Sequence, residues 1–486
     1  MTLKKVSVAK VVSAIPASIN PEIIMSAQPP ASIFLRYDIR GIVGDTISPE
    51  STQIIGQAFA LLMQEADEQS VIVAHDNRPS SPALMTALIE GLTDSGIDVI
   101  NLGEQPTPLA YFATHQLNTP NALIITGSHN PPEYNGIKCV LAGKPLHSEG
   151  LQRLFRRTRA DFPVDKKGNR QQADIVPDYL NRITRDVQLK RKLKVIIDCG
   201  NGTASTVAPE LMRQLGCDVT ALYCDSDGRF PNHHPNPSVP DNMAEMKRQL
   251  QSGDFDLGLA FDGDGDRLGV MDSSGKIIWP DRQMMLFSED VLRRHPGASI
   301  IFDVKSSQHL SDIIQAQGGT PIMWCSGHSL LKEKLAQTSD AQLAGELSGH
   351  IFFKDRWYGF DDALYTAARL LELIAQKNQD SAQQFSHWPD AISTPELGIN
   401  FDNYEKLAQF MHELRQLHGQ FANGQTTLID GIRVDFDDGW GLVRASNTTP
   451  TLVLRFEGKD KKTLKRIQAE FRQQLLTVEP KLSLPF

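Results

Sequence analysis

The chain has 486 residues, too many for one ordinary core and enough for about three or four domains. Hydrophobic residues make up 40% and charged residues 22%, as in soluble globular proteins, and no apolar run approaches the roughly 18 residues that cross a membrane. A formal net charge of −9 argues against a nucleic-acid partner, so an anionic ligand would need a locally basic site.

The N-terminus begins with two lysines and VSVAKVVSAI, in which Lys10 breaks the apolar stretch. A tail over residues 1–30 is expected there, not a signal peptide. Next comes a recurring pattern: a short apolar run ends in a loop rich in Gly, Asp, Ser or Asn, and a helical stretch usually follows. VIVAHDNR (71–78), ALIITGSHN (122–130), VIIDCGNG (195–202), LGLAFDGDGDR (257–267) and SIIFDVKSS (299–307) all fit it. Such runs predict strands buried on both faces, with chemistry at their carboxyl ends. Helices are expected from Ile54 to Gln64 and from Met243 to Gln251.

The end of the chain reads differently. IRVDF (432–436), WGLVRAS (440–446) and TLVLRFEG (451–458) predict antiparallel strands, and Leu464, Ile467, Phe471 and Leu475 recur at helical spacing. The Gln- and Ser-rich stretch from Asn378 to Pro395 is the expected linker. The organisation expected is a tail (1–30), three α/β domains (31–174, 175–278, 279–388) and an α+β domain (389–486). Cys139, Cys199, Cys217, Cys224 and Cys325 are dispersed without a CxxC pair. That favours a reducing compartment, the cytoplasm, over a disulfide framework or a zinc centre.

Four loops carry the chemistry. TGSHNPPEYNGIK (126–138) delivers Ser128 to a rigid loop, with His129 and Lys138 as neighbours able to manage its proton. A lone Ser-His is more often an ordinary polar turn, and the G-x-S-x-G elbow of hydrolases is absent here. DGDGDR (262–267) follows a buried run and places three carboxylates at alternate positions. That suits a hard cation, best Mg²⁺, with Arg267 beside it for a phosphate. A solvated acidic turn is the alternative; an EF-hand is a poor one, because Ser273 stands where its last acidic ligand belongs.

In GELSGH (345–350), Glu346, Ser348 and His350 alternate along a short extended segment, suiting a grip on sugar hydroxyls and a proton shuttle. RASNTTP (444–450) gathers Arg444, Ser446, Asn447 and Thr448, a set that suits phosphate oxygens. A glycine-rich loop and an Asn/Thr turn are the respective bland readings. Arg40 in YDIRG, His328 in WCSGHS and Lys305 at a strand end are weaker candidates. The pair in PNHHPNP (231–237) reads as a rigid loop, not a metal site.

Together and in this order, the four loops resemble those of the α-D-phosphohexomutase superfamily, in its phosphomannomutase/phosphoglucomutase group. The likeness runs from about Ile33 to the C-terminus and includes YDIRG, HDNRPSS, DCGNG, FPNHHPNP and RWYGFDD. It implies three related α/β domains of mixed sheets and a fourth like the TATA-binding-protein fold, around a central cleft. It also implies phosphate on Ser128, and Mg²⁺ held by Asp262, Asp264, Asp266 and Ser128. Glu346 and Ser348 would grip the sugar. Arg444, Ser446, Asn447 and Thr448, with Lys305 and Tyr37, would hold the other phosphate. Arg40, His129, Lys138, Arg267, His328 and His350 would line the reaction site.

The implied reaction interconverts hexose 1- and 6-phosphates of mannose, glucose or both through a hexose 1,6-bisphosphate, in a monomer. Phosphoglucosamine mutase is the alternative, but its serine loop usually reads Ser-Ala-Ser-His-Asn where this chain has TGSHN. A Mg²⁺-dependent phosphatase with an aspartate nucleophile is a further one. One departure stands out: Cys325-Ser326 replaces the family's usual Lys-Thr, removing a positive charge near the sugar.

Overall fold

The computed structural model describes residues 28–162, 167–417, 421, 424–447 and 449–486. The expected tail therefore lies outside the described residues as far as residue 27. Among the described residues, no helix is long and apolar enough to cross a membrane.

Among the described residues, four sheets form in chain order. The first has seven strands, with Ile39–Ile42, Tyr134–Leu141, Ala122–Ile125, Ser70–His75, Asp98–Glu104 and Arg170–Gln172 side by side. The second orders Ile277–Ile278, Leu268–Asp272, Leu257–Phe261, Lys194–Asp198 and Asp218–Leu222. The third orders Thr320–Trp324, Ser299–Asp303, Ala341–Gly345 and Ile351–Phe353. Their central strands are apolar and buried on both faces, and neighbours such as Leu257–Phe261 and Lys194–Asp198 run parallel. The expected parallel α/β pattern is thus present at the heart of each sheet.

One feature differs from expectation. After Ala122–Ile125, Leu257–Phe261 and Ala341–Gly345 the chain does not enter a helix; it returns as an antiparallel strand. The returning segments are themselves apolar, as in Leu268–Asp272, and satisfy their backbone groups on the sheet they have just left. Three of the four candidate loops are therefore hairpin connections at the same end of equivalent strands.

One apolar core is shared by the first three sheets, running from Ile72 and Phe112 through Val195 and Phe261 to Ile300 and Trp357. The fourth sheet is antiparallel, with strands Ile432–Phe436, Gly439–Ala445 and Thr451–Gly458 at its centre. Helices Tyr404–Gln416 and Lys461–Val478 cover it, and its core, around Phe456, Ile467 and Phe471, is its own. Trp440 joins the two bodies: fully buried, it packs with Val304 of the third sheet, and the Arg433 guanidinium lies 4.0 Å from its ring centre.

The expected linker is more structured than its composition suggests. A short helix, Ser381–Ser386, forms after an Asp380 cap, and Phe385 and Trp388 are buried in the shared core. Two large aromatic side chains outweigh the polar residues around them.

Candidate active site

The site lies in a cleft of about 750 Å³ to which all four sheets contribute loops. Ser128 follows strand Ala122–Ile125 and holds a left-handed backbone, φ 46°, with its side chain buried. Its Oγ donates to Asp262 Oδ2 at 2.9 Å and lies 3.2 Å from His129 Nδ1. The loop is held from behind by Arg78, whose guanidinium donates to the carbonyls of Ser128, Asn130, Pro131 and Tyr134. Asp76 fixes Arg78 at 3.1 Å and accepts from Gly127 N at 2.8 Å. A side chain on Gly127 would collide with that guanidinium.

Opposite Ser128 stands the carboxylate loop, with Asp262, Asp264 and Asp266 fully buried. Asp262 Oδ1 accepts from the backbone N–H groups of Gly265, Asp266 and Arg267 at 3.1–3.2 Å. Asp264 Oδ2 accepts from Thr107, Thr126 and Lys138 at 2.7–3.1 Å. Lys138, on the strand returning from the serine loop, also pairs with Asp266. Burial and the neighbouring Asp266 and Asp264 raise Asp262 to about 8, because Lys138 and Arg267 only partly offset three crowded carboxyl groups. Asp264 Oδ1 is buried without a hydrogen-bond partner, and one oxygen from each of the three lies within 4.8 Å of the others. This donor set, all oxygen and over-negative, fits a hard divalent cation such as Mg²⁺.

The GELSGH loop folds differently from expectation. Residues 346–350 form a tight turn, not an extended segment, because Gly349 takes a positive φ (105°) and its N–H closes onto Glu346 O. The turn still brings the expected side chains together: His350 Nδ1 lies 2.9 Å from both Glu346 Oε2 and Ser348 Oγ. Burial alone would lower the His350 pKa, but Asp266 and Glu346 hold its proton and raise it to about 9. Arg267 Nε approaches His350 Nε2 at 3.4 Å, while its Nη2 meets His129 Nδ1 at 2.6 Å. Burial and the Arg267 and Arg40 cations push the His129 pKa well down, so that imidazole is neutral. His328 opens helix His328–Gln337 and stacks on His350 with 5.3 Å between ring centres. Arg40 donates to Asp38 at 2.7 Å and to Thr126 O at 2.8 Å.

At the far side of the cleft, Arg444 donates to Asp430 at 3.0 Å, and Lys305 pairs with Glu396 at 3.0 Å. Tyr37 donates to Ser326 O and accepts from Asn447 Nδ2. Ser446 lines this end too, whereas Thr448 lies outside the described residues. At Cys325-Ser326 the Ser326 hydroxyl sits 2.9 Å from both Asp303 and Glu346.

Sequence reading missed the residues that support these. Arg78 and Asp76 stand in HDNRPSS, at the end of a buried strand like the other loops, and that position was the available signal. Lys332, one turn after His328, is buried against Asp361 at 2.7 Å and had no signal beyond its helical spacing.

Four family models match in order: phosphoglucomutase/phosphomannomutase alpha/beta/alpha domain I at residues 31–162, domain II at 177–275, domain III at 279–391, and the C-terminal domain at 401–474. A phosphomannomutase/phosphoglucomutase of Pseudomonas aeruginosa is 49% identical over 457 residues, covering 94% of this chain and 98% of that one. A phosphoglucomutase of Neisseria meningitidis serogroup A is 47% identical over 442 residues, covering 90% and 96%. The crystal structure of a phosphoglucomutase/phosphomannomutase family protein from Burkholderia thailandensis superposes with a TM-score of 0.89 at 45% identity, covering 94% of this chain and 100% of that one.

Fold and matches define an isomerase that relocates a phosphoryl group. The chain belongs to the phosphoglucomutase/phosphomannomutase family, within the phosphohexomutases.

Proposed function

We propose that this enzyme interconverts the 1- and 6-phosphates of both glucose and mannose by carrying a phosphoryl group on Ser128. The observation behind this reading is the contact between Ser128 Oγ and Asp262 Oδ2, at 2.9 Å, on the edge of the buried carboxylate trio. This placement supports a phosphate carrier over an acyl-transfer nucleophile, because the hydroxyl donates to the acid cluster and the nearby His129 Nδ1 faces the Arg267 guanidinium, which leaves it a poor base.

Asp262, Asp264 and Asp266, with Ser128, would hold Mg²⁺, which when bound neutralises charge on the transferring phosphoryl group. Arg267 and Lys138 add positive charge on the same side. Glu346 and Ser348 bind the 3- and 4-hydroxyls, which glucose and mannose share, and no side chain is assigned to the 2-position. Arg444, Ser446 and Asn447, with Lys305 and Tyr37, bind the phosphate that is not reacting; Thr448 is assigned there from sequence. His350 or Lys138 is the proton shuttle; His350, whose proton Asp266 and Glu346 hold, acts first as the acid, giving that proton to the leaving oxygen, and recovers it in the reverse transfer. The hexose 1,6-bisphosphate so formed turns over in the cleft and gives its other phosphate back to Ser128.

Intact mass and peptide mapping after incubation with glucose 1,6-bisphosphate test this. Phosphate is expected on the 126–138 peptide, and Ser128→Ala is expected to lower turnover by at least about a thousandfold. Phosphate on Asp262, with activity surviving Ser128→Ala, would point instead to a phosphatase. Coupled assays with glucose 1-phosphate and mannose 1-phosphate are expected to give turnover with both.

A further inference from the structure

A thiol pair outside the cleft takes no part in this chemistry. Strands Lys194–Asp198 and Asp218–Leu222 are parallel neighbours, with Asp198 beside Leu222. They leave the sheet side by side and bring Cys199 and Cys224 together, with their sulfurs 3.2 Å apart. A disulfide requires about 2.05 Å, so the sulfurs need to close by only about 1.2 Å.

The backbone between them is tightly constrained. Gly200, Asn201 and Tyr223 all hold positive φ, at 50°, 60° and 50°. Asn201 N donates to Tyr223 O at 2.7 Å, tying the two loops together. The loop after Cys199 also props the carboxylate loop: Thr203 donates to Gly263 O from its backbone N at 2.9 Å and from Oγ1 at 3.0 Å. Asn201 O accepts from Asn77 Nδ2 at 2.6 Å, linking the same loop to the first sheet. A displacement at Cys199 therefore reaches both Gly263, between two of the carboxylates, and the segment next to Arg78.

We propose that Cys199 and Cys224 are an oxidation site: a peroxide converts them to a disulfide, and the bond lowers turnover by shifting the loop that props Gly263. Cys224 is half-buried and Cys199 fully buried, so a small oxidant meets Cys224 first. Burial and the adjacent Cys224 keep the Cys199 thiol protonated, which also makes it the second partner. The Cys224 sulfur displaces water from hydrogen peroxide, giving a sulfenic acid and one water. The Cys199 sulfur then attacks the Cys224 sulfur; the S–O bond breaks, and hydroxide leaves with the Cys199 proton as a second water. Two thiols are oxidised and one peroxide is reduced, and a dithiol reverses the bond by exchange.

The test treats the full chain with graded hydrogen peroxide, alkylates it, and maps peptides without reduction. A linked 199–224 peptide is expected, two hydrogens lighter than the separate thiols, with titratable thiols falling from five to three. Turnover is expected to fall several-fold and to recover with dithiothreitol. Cys224→Ser should keep its basal turnover and lose the sensitivity. Five persistent thiols, a link elsewhere, a 199–224 link that leaves turnover unchanged, or equal inhibition of Cys224→Ser would each overturn the proposal. The turnover arm rests on the mutase reading, whereas the linked peptide is read by mass alone, so the two can fail separately.

Discussion

Ser128 sits in the left-handed region at φ 46°, where a side chain costs on the order of 1–3 kcal/mol. The hydroxyl is retained there despite that cost, and glycine would relieve it. Ser128→Gly is expected to raise the thermal midpoint by the equivalent of about 1 kcal/mol while abolishing turnover, read by differential scanning fluorimetry beside the coupled assay. His350 is held from three sides, by Glu346, Ser348 and Asp266. His350→Gln should lower kcat by about 10²- to 10⁴-fold with a smaller change in KM, in steady-state kinetics. Both residues were candidates from sequence because each sits in a loop with an uncommon concentration of functional groups. Arg78 was not, although it organises the serine loop, because one arginine at a strand end looks like any surface cation until its burial is known.

At the scale of the element, three candidate loops are hairpin turns between a parallel-paired strand and its antiparallel return. A turn anchored by two strands holds a side chain more firmly than a long loop does. The serine loop depends in addition on Arg78, which offers five donors in a fixed fork where lysine has three. Arg78→Met should destabilise the protein by about 3–5 kcal/mol, because Asp76 is left buried and unpaired. Arg78→Lys should keep the fold but reduce the fraction of Ser128 that carries phosphate, measured by intact mass.

Helix Ala363–Ile374 carries a second buried charge, its cap Asp362. Burial raises Asp362 to about 7, despite donors from Tyr365 N and the Tyr179 hydroxyl. The folded state thus binds this proton more tightly than the unfolded one. Its contribution is full below about pH 4 and is lost as pH rises through 7. Asp362→Asn should therefore stabilise the protein by about 2–4 kcal/mol at pH 8 and by little at pH 4, in thermal unfolding followed across pH.

At the scale of the molecule, the fourth sheet has its own core and meets the third sheet through Trp440. Removing that ring costs about 3–5 kcal/mol and leaves Arg433 without its stacking partner. Trp440→Ala is expected to raise KM for hexose phosphate more than it lowers kcat, and to increase the radius of gyration by small-angle scattering. Both follow because the proposed phosphate site draws Arg444, Ser446 and Asn447 from the fourth sheet.

By itself the sequence determined the class of fold and the loops that matter. Buried strands are written as unbroken apolar runs, and chemistry at their ends as clustered polar residues, both of which are local signals. It also marked the fourth region as antiparallel and helical from short-range periodicity. Tertiary structure alone decided that the site loops return as strands, that the sugar loop turns instead of extending, and that Phe385 and Trp388 draw the expected linker into the core. It alone set the direct contact of Ser128 with Asp262, which the resemblance implied only through a shared ion, and alone paired Arg78 with four carbonyls and Cys199 with Cys224. Those contacts join residues tens to more than a hundred positions apart, and no local pattern encodes a distance between them.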